Sequence, residues 1–291
     1  MCALLLVLLL ARSRSGESSL RRAPNAASSL VDGELPEVRT TADGRRFPVV
    51  RSLAGVKDWR EPPVPLEGQV TLSTTFGRAL HALAKRDDVH LVLEIGTWFG
   101  GGSSFCIAQG LRESLASVQS PDKWLLTLEL FAPAHAYASH TLARLPATCL
   151  RGGTVGVDGY LAPEDMSEED RAGEHFRLYY KRDVDLARRQ PALLRALCER
   201  FDVDAVLIDG NEYTGWAEFK LVHDVCRPRY LALHDTGTLK TQRVQEVIAT
   251  PGTAYAERWA LMSEGRDAAG WAIYQAKGAQ AAVAGAGGEA A

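Results

Sequence analysis

Five ionisable side chains stand at or just after the ends of four short apolar runs, where they could bind a ligand or move a proton. They are Glu94, Glu129, Asp209, His234 and Asp235. Runs of this length and composition are typical of buried strands. Because ligands of a parallel sheet bind where the carboxyl ends of its strands meet, we expect these side chains to form one site. Carboxylates there can accept hydroxyl groups or bind a cation, and a histidine can take a proton near neutral pH.

A glycine-rich turn follows the first of these runs, within residues 89–104, VHLVLEIGTWFGGGSS. Such a turn lets a ligand lie against bare backbone, and the N-terminus of the next helix presents N–H groups to an anion. The dinucleotide fingerprint G-x-G-x-x-G is excluded, because Trp98 or Phe105 replaces a required glycine, depending on where the count begins. The turn therefore favours a ligand with a nucleoside and a single carboxylate over a pyrophosphate.

Strand-like and helix-like segments alternate along most of the chain. Predicted helices cover residues 71–86, 103–117, 133–144, 186–201 (broken or kinked at Pro191), 218–226 and 239–250. Predicted strands cover residues 91–95, 124–130, 148–157, 205–208 and 230–233, with a terminal pair at 254–261 and 270–275. Residues 163–174 are an acidic segment with loop character. The alternation predicts an α/β fold, a doubly wound and mostly parallel sheet with a terminal antiparallel strand and helices on both faces.

Three segments together resemble the class I (Rossmann-like) S-adenosylmethionine-dependent methyltransferases. They are LEIGTWFGGGSS, LIDGNEYTGWAEF and ALHDTGTLK, with Glu129 about one βα unit after the first. Within that class the chain is similar to the group that includes sugar and macrolide O-methyltransferases and cephalosporin-hydroxylase-like proteins. The resemblance covers about residues 70–275. It implies a Rossmann-like fold, S-adenosylmethionine as cofactor, and methyl transfer to a hydroxyl of a sugar, a glycan or another small molecule.

The resemblance also implies roles at the glycine turn. The N-terminus of the following helix would favour the cofactor's carboxylate, Glu94 its ammonium, and Glu129 both ribose hydroxyls. Trp98 is the best candidate for contact with cofactor or acceptor. Two structural alternatives stay open: the glycines serve turn geometry alone, and Glu94 only caps the helix. The candidate cofactor-binding residues are Glu94, Gly96, Thr97, Trp98, Gly100, Gly102, Ser103, Glu129 and Asp209.

Asp209, His234 and Asp235 are the candidate catalytic residues, and three interpretations compete for them. Members of the group often hold a divalent cation here, Mg or Mn, which would activate an acceptor hydroxyl. This chain has His234 where many relatives have an acid, and consecutive strand residues share an ion only if the backbone turns. Alternatively, His234 is a metal-free general base. In the third interpretation, His234 is packed in a strand end and Asp235 caps a turn.

The ends of the chain differ in composition from its middle. Residues 1–30, with an apolar run at Ala3–Ala11, predict a targeting leader, either a signal peptide or a bipartite transit peptide. Residues 31–66 predict a linker or N-terminal extension, residues 67–275 the methyltransferase-like domain, and residues 276–291 a disordered Ala/Gly tail. The leader indicates the secretory pathway or an organelle lumen, with no stable membrane span after its cleavage.

The net charge narrows the classes of partner that the protein could bind. With 33 basic and 36 acidic residues, the net charge of −3 gives no signal for a polyanion, so we expect no nucleic-acid partner.

Cys2 lies in the leader. The other four cysteines, Cys106, Cys149, Cys198 and Cys226, lie in apolar segments, which favours buried free thiols over disulfides or zinc, although secretion would favour disulfides.

Two other classes of function compete with the methyltransferase. One is a non-catalytic cofactor-binding or interaction module on the same fold. The triple glycine of the turn favours it, and so does the absence of the loop histidine that relatives often carry near Glu212 and Tyr213. The other is a nicotinamide-dependent oxidoreductase, against which the glycine spacing counts strongly.

Overall fold

A computed structural model describes residues 33–50, 68–117, 122–267 and 269–278 of the chain. Strands β1 (Val38–Thr40) and β2 (Arg46–Pro48) form a short antiparallel hairpin. The strands that follow are β3 (Leu91–Ile95), β4 (Trp124–Glu129), β5 (Ala147–Arg151), β6 (Ala205–Ile208), β7 (Tyr230–His234), β8 (Trp259–Gly265) and β9 (Trp271–Ala276).

Within the described ranges, strands β3 to β9 form one sheet in the order β5-β4-β3-β6-β7-β9-β8. Strands β3 to β7 are parallel to their neighbours, whereas β9 is antiparallel to both β7 and β8. The chain winds outward from β3 to β5 on one side and from β6 on the other, so the strand order reverses between β3 and β6. This is the Rossmann-like, doubly wound sheet that the sequence predicts, and ligands bind such sheets at the reversal.

Helices connect the strands. They are α1 (Thr75–Ala84), α2 (Ser103–Ser117), α3 (Ala132–Thr141), α4 (Glu168–Ala172), α5 (Lys181–Ala187), α6 (Leu194–Arg200), α7 (Gly215–Leu221), α8 (Gln242–Ala249) and α9 (Ala254–Arg258). Single π-helical turns occupy Phe176–Tyr180 and Val222–Cys226. Thr74 caps α1 by accepting the Gly77 backbone N–H, as its residue type predicts. In the described part of the chain, no helix combines the length and the apolar character needed to cross a membrane.

Both faces of the sheet are buried, which explains why the strands are continuously apolar. Successive side chains of a strand point to opposite faces. Accordingly, Leu91, Leu93 and Ile95 of β3 pack in one apolar core, and Val92 packs in the other with α1 and α2. Burial on both sides fixes the register of β3, and this register sets the position of the turn that follows Ile95.

The N-terminal hairpin belongs to the packed structure. Phe47 of β2 is 1% exposed and lies in the same core as Leu91. Arg45 and Arg46 form ion pairs with Asp204 and Asp202, beside the start of β6. The composition predicts a linker or N-terminal extension across residues 31–66. The described part of that segment contains a hairpin that packs on the sheet, and residues 51–66 lie outside the described residues, as does the leader.

Several local predictions differ from the structure. Cys198 and Cys226 form a disulfide between α6 and the π-helical turn after α7, so the expectation of free thiols was wrong for this pair and fits Cys106 and Cys149. Residues 254–258 are helical because the Thr253 hydroxyl accepts the Ala256 N–H and starts a turn, which delays β8 to Trp259. The acidic segment 163–174 contains α4 and a 3₁₀ turn.

Candidate active site

The glycine turn lies between β3 and α2 and contains two residues in the left-handed region near its start. Gly96 has φ 91° and Trp98 has φ 52°. The left-handed conformation is unusual for a tryptophan, and such strain tends to occur at functional sites. The Trp98 ring packs against Phe99 and is 41% exposed, so it stands at the surface of the turn. That exposure suits the predicted contact with a ligand.

The glycines of the turn have a packing reason. A Cβ atom on Gly96 would lie 2.2 Å from the Asp209 carbonyl oxygen, so the turn passes directly against the end of β6. Cβ atoms on Gly100 and Gly102 would lie 3.2 Å from Ala138 and 3.3 Å from the Val70 carbonyl oxygen. Protein atoms thus occupy the space that these glycines leave, which is the structural alternative that the sequence left open.

We expect Gly96→Ala to destabilise the fold far more than Gly252→Ala. Both glycines have positive φ, 91° and 80°, but among the described residues no atom beyond the chain neighbours of Gly252 lies within 4 Å of a Cβ atom there. The left-handed penalty alone predicts a loss of about 1–2 kcal/mol at Gly252. The added clash with Asp209 predicts about 3–5 kcal/mol at Gly96. Urea unfolding of the two variants measures the difference, and equal losses would contradict the close approach.

Glu94 is fully buried behind the turn and is tied to hydroxyl groups. Ser103 Oγ donates to Oε1 at 2.6 Å, and Ser104 Oγ and Thr127 Oγ1 donate to Oε2, the latter at 2.8 Å. Burial raises the pKa of Glu94 to about 7 even though these hydroxyls favour the carboxylate. Glu94 thus joins the start of α2 to β4, the helix-end role that the sequence left open beside contact with the cofactor. Thr97 continues this network through Thr127 Oγ1 and the Leu128 carbonyl oxygen.

Glu94→Gln should make stability less dependent on pH. The pKa of Glu94 is about 7 in the folded chain against an ordinary 4.5, so between these values the folded state keeps a proton that the unfolded state has released. The free energy of unfolding therefore falls as pH rises through this window. The variant should reduce the loss between pH 5 and pH 8 by about 2–3 kcal/mol, measured by urea titrations. Glu199→Gln, at an exposed acid, is the control, and an unchanged pH slope in Glu94→Gln would contradict the shift.

Glu129 connects the end of β4 to the glycine turn. Its Oε2 accepts the Trp98 backbone N–H at 2.9 Å, and its Oε1 accepts the Phe131 N–H at 2.7 Å. The residue is 9% exposed, and burial raises its pKa to about 7. Each carboxylate oxygen has a second lone pair, so the group can accept ligand hydroxyls while it holds both amides.

Asp209, His234 and Asp235 come together at the ends of β6 and β7. His234 Nδ1 lies 2.9 Å from Asp209 Oδ1 and 3.5 Å from Asp235 Oδ2. Asp235 has φ 56°, which is the turn of the backbone that two consecutive residues need in order to face one point. The Phe76 ring stacks on the His234 ring, with centroids 5.3 Å apart, and fixes its plane from the side of α1.

Lys240 completes this cluster, although the sequence pattern does not predict it there. Its Nζ lies 3.0 Å from Asp209 Oδ1 and 2.6 Å from Asp235 Oδ2. Burial would raise the pKa of Asp209, but Lys240 and His234 outweigh it and hold that pKa below its usual range. Burial lowers the pKa of His234, but the two carboxylates outweigh burial and hold that pKa above its usual range. The position of Lys240, six residues after His234 in ALHDTGTLK, was the one available signal.

Glu218 is a further buried residue of this region that the sequence pattern does not predict as part of the site. Thr154 Oγ1 and Thr214 Oγ1 donate to its Oε1, the latter at 2.8 Å, whereas Oε2 has no hydrogen-bond partner among the described residues. A Cβ atom on Gly210 would lie 3.2 Å from Glu218 Oε1, so the acid lies directly behind the loop after Asp209. Burial raises its pKa to about 7.

The donor set around Asp209 can be compared with the needs of a divalent cation. One ligand atom from each of Asp209, His234 and Asp235 lies within 4.8 Å of the others, which is close enough for one ion. Such an ion would bind these oxygens at about 2.0–2.6 Å. Lys240 Nζ already contacts one oxygen of each carboxylate, Asp209 Oδ1 and Asp235 Oδ2. The residues therefore fit the ammonium that they hold and do not fit a divalent cation beside it.

Comparisons with known proteins show a similarity in fold alone. No family model matches the chain, and no curated protein matches its sequence. Among solved structures, an O-methyltransferase from Bacillus cereus in complex with SAH is 17% identical, with 73% of this chain and 84% of that chain covered and a TM-score of 0.44. A Podospora anserina methyltransferase bound to SAH is 12% identical, with 74% and 83% covered and a TM-score of 0.45. An O-methyltransferase from Streptomyces achromogenes in complex with SAM is 17% identical, with 72% and 82% covered and a TM-score of 0.41.

Proposed function

We propose that this chain is an S-adenosylmethionine-dependent methyltransferase that methylates a hydroxyl of a sugar, a glycan or another small molecule. The observation that carries the proposal is the link between Glu129 and the glycine turn through the Trp98 N–H. It puts a buried acid with free lone pairs beside a helix N-terminus, at the edge where the strand order reverses.

The cofactor would use the two ends of this arrangement. The hydroxyls of its ribose would donate to the Glu129 carboxylate, and its own carboxylate would face the first backbone N–H groups of α2, where the helix dipole favours an anion. The exposed Trp98 ring would cover the ligand from the solvent side. Glu94 would support the start of α2 from behind and would not touch the cofactor.

The methyl group would pass to an acceptor oxygen near Asp209 and His234. S-adenosylmethionine, when bound, would supply an activated methyl group on a sulfonium sulfur, which would leave as a neutral thioether. With Nδ1–H donating to Asp209, His234 Nε2 is the atom that would take the hydroxyl proton. Most of the acceleration would come from holding the oxygen in line with the methyl group, because a sulfonium is already activated.

Calorimetry of the purified chain with SAM, SAH and NAD tests the proposal, followed by transfer of a radiolabelled methyl group to a panel of sugars, glycans and phenols. We expect SAM and SAH to bind, NAD not to bind, and at least one hydroxyl acceptor to be labelled. Binding of SAH without transfer to any acceptor would favour the non-catalytic module. Tight binding of NAD without SAH would overturn the proposal.

We also propose that the chain acts in the secretory pathway or an organelle lumen. The apolar run Ala3–Ala11 supports a cleavable leader. The Cys198–Cys226 disulfide supports an oxidising compartment, because cytosolic reductants keep most thiols reduced. Sequencing the N-terminus of the protein isolated from its own cells tests this placement, and an intact Met1 would contradict cleavage.

A further inference from the structure

We propose that Lys240 takes the place of a divalent cation in this site, so that the chain holds its acidic cluster together with an internal ammonium and needs no metal. The proposal deepens the methyltransferase function and rests on it for its catalytic meaning. Its basis is geometric. Lys240 Nζ lies 3.0 Å from Asp209 Oδ1 and 2.6 Å from Asp235 Oδ2, and these two oxygens are also within 2.9 and 3.5 Å of His234 Nδ1.

The backbone around Lys240 is held in place from two sides. A Cβ atom on Gly215 would lie 1.8 Å from the Lys240 carbonyl oxygen, so the start of α7 packs directly on this residue. The next residue, Thr241, donates its hydroxyl to the His234 carbonyl oxygen at 2.6 Å and is completely buried. These contacts place the lysine backbone beside the ends of β6 and β7, and the side chain is only 11% exposed. The ammonium therefore has a fixed position within the site.

The charges of the cluster also favour an internal cation. Asp209 and Asp235 are both largely buried, with side chains 14% and 13% exposed, and two buried carboxylates require a partner. Lys240 supplies one positive charge, and Glu212 adds negative charge to its surroundings. A divalent cation bound to the same oxygens would lie next to the ammonium and would be repelled by its positive charge. The two cations thus exclude each other.

Lys240 would act as a positioning residue. By joining Asp209 to Asp235, it keeps the Asp209 carboxylate on His234 Nδ1 and so keeps Nε2 aimed in one direction. A metal would do the same work by coordination and would also bind the acceptor oxygen as a Lewis acid. An ammonium is a hydrogen-bonding point charge, so the acceptor oxygen would be activated through proton removal by His234.

Titration with Mn²⁺ tests the proposal without SAM or an acceptor. Binding is measured as the loss of the electron paramagnetic resonance signal of free Mn²⁺. We expect the full chain to bind no Mn²⁺ at this cluster, and Lys240→Ala to bind one ion at least tenfold more tightly than the parent. Lys240→Met keeps the bulk of the stem and serves as the second variant in case the alanine protein does not fold. Lys85→Ala, at an exposed lysine paired with Glu113, should behave as the parent does.

The outcomes separate this proposal from the proposed function. Mn²⁺ binding by the unmodified chain that Asp209→Asn abolishes would overturn the role of Lys240, and so would folded lysine variants that bind no ion. A gain of binding in the lysine variants supports the role even if SAH does not bind, in which case the methyltransferase function alone fails. For the active enzyme, we expect EDTA to leave methyl transfer unchanged, and a loss restored by Mn²⁺ would contradict the proposal.

Discussion

Glu129→Ala should weaken the binding of SAH by about 100-fold or more. The variant removes the carboxylate that would accept both ribose hydroxyls, and hydrogen bonds to a charged group contribute about 1.5–3 kcal/mol each. It also releases the Trp98 and Phe131 amides, which leaves the glycine turn without its connection to β4. The predicted loss therefore combines direct contacts with a less well-ordered turn. Titration calorimetry with SAH measures it.

Controls separate these two contributions. Glu129→Gln keeps one acceptor oxygen and the size of the side chain, so it should lose less affinity than Glu129→Ala. An SAH analogue that lacks a ribose hydroxyl should bind the parent more weakly than SAH does, but should bind Glu129→Ala as well as SAH does, because the partner of that hydroxyl is already gone. Glu199→Ala, at an exposed acid, controls for net charge. Unchanged SAH affinity in Glu129→Ala would remove Glu129 from the cofactor site.

The elements that carry this site were predictable because their signals are local. Strand β3 occupies the predicted residues 91–95, and α2 begins at the predicted Ser103. A short apolar run that ends in an acid and glycines can be recognised without knowledge of its neighbours. The same holds for Thr74, whose side chain caps α1 within its own turn. The sequence therefore predicts the sheet and the edge at which the polar residues meet.

Contacts between distant segments were not predictable in this way. Cys198 and Cys226 pair because α6 and the turn after α7 pack together, and nothing in their local sequence indicates that neighbour. Tyr213 is buried against Tyr180 of the π-helical turn Phe176–Tyr180, in an edge-on contact with ring centroids 4.9 Å apart. Such partners follow from tertiary packing, which the pattern of a single segment does not predict.

Lys240 is another residue whose partners are distant in sequence, and its presence changes the chemistry expected of the site. The sequence offers Asp209, His234 and Asp235 as ligands with no cation, so a metal is the natural completion of the set. The lysine follows in the next loop, and a lysine in a loop is usually exposed. Its burial depends on the close approach to Gly215, a residue of α7. The number of charges in the cluster is therefore known only when the fold is known.

Asp209→Asn should reduce methyl transfer by about 10²–10⁴-fold, because it removes the carboxylate that orients the proposed general base His234. The neutral side chain cannot balance Lys240 and His234, so the proton-accepting form of the histidine is no longer oriented by a carboxylate. SAH affinity should change little, because the proposed ribose contacts lie at Glu129. Turnover and SAH binding, measured on the same preparation, check both parts, and full turnover would remove the catalytic role of Asp209.

The same substitution should lower the free energy of unfolding by about 3 kcal/mol, since removing one partner of a buried ion pair leaves the other charge poorly compensated. Adding Lys240→Met removes that charge as well. The double variant should therefore recover stability in urea titrations, because Asp209→Asn and Lys240→Met act on one pair. It should not recover turnover, because both the Asp209 carboxylate that accepts from His234 Nδ1 and the internal cation are gone. Strictly additive losses in the double variant would show that the two side chains do not share the cluster in solution, and recovered turnover would show that the cluster is structural.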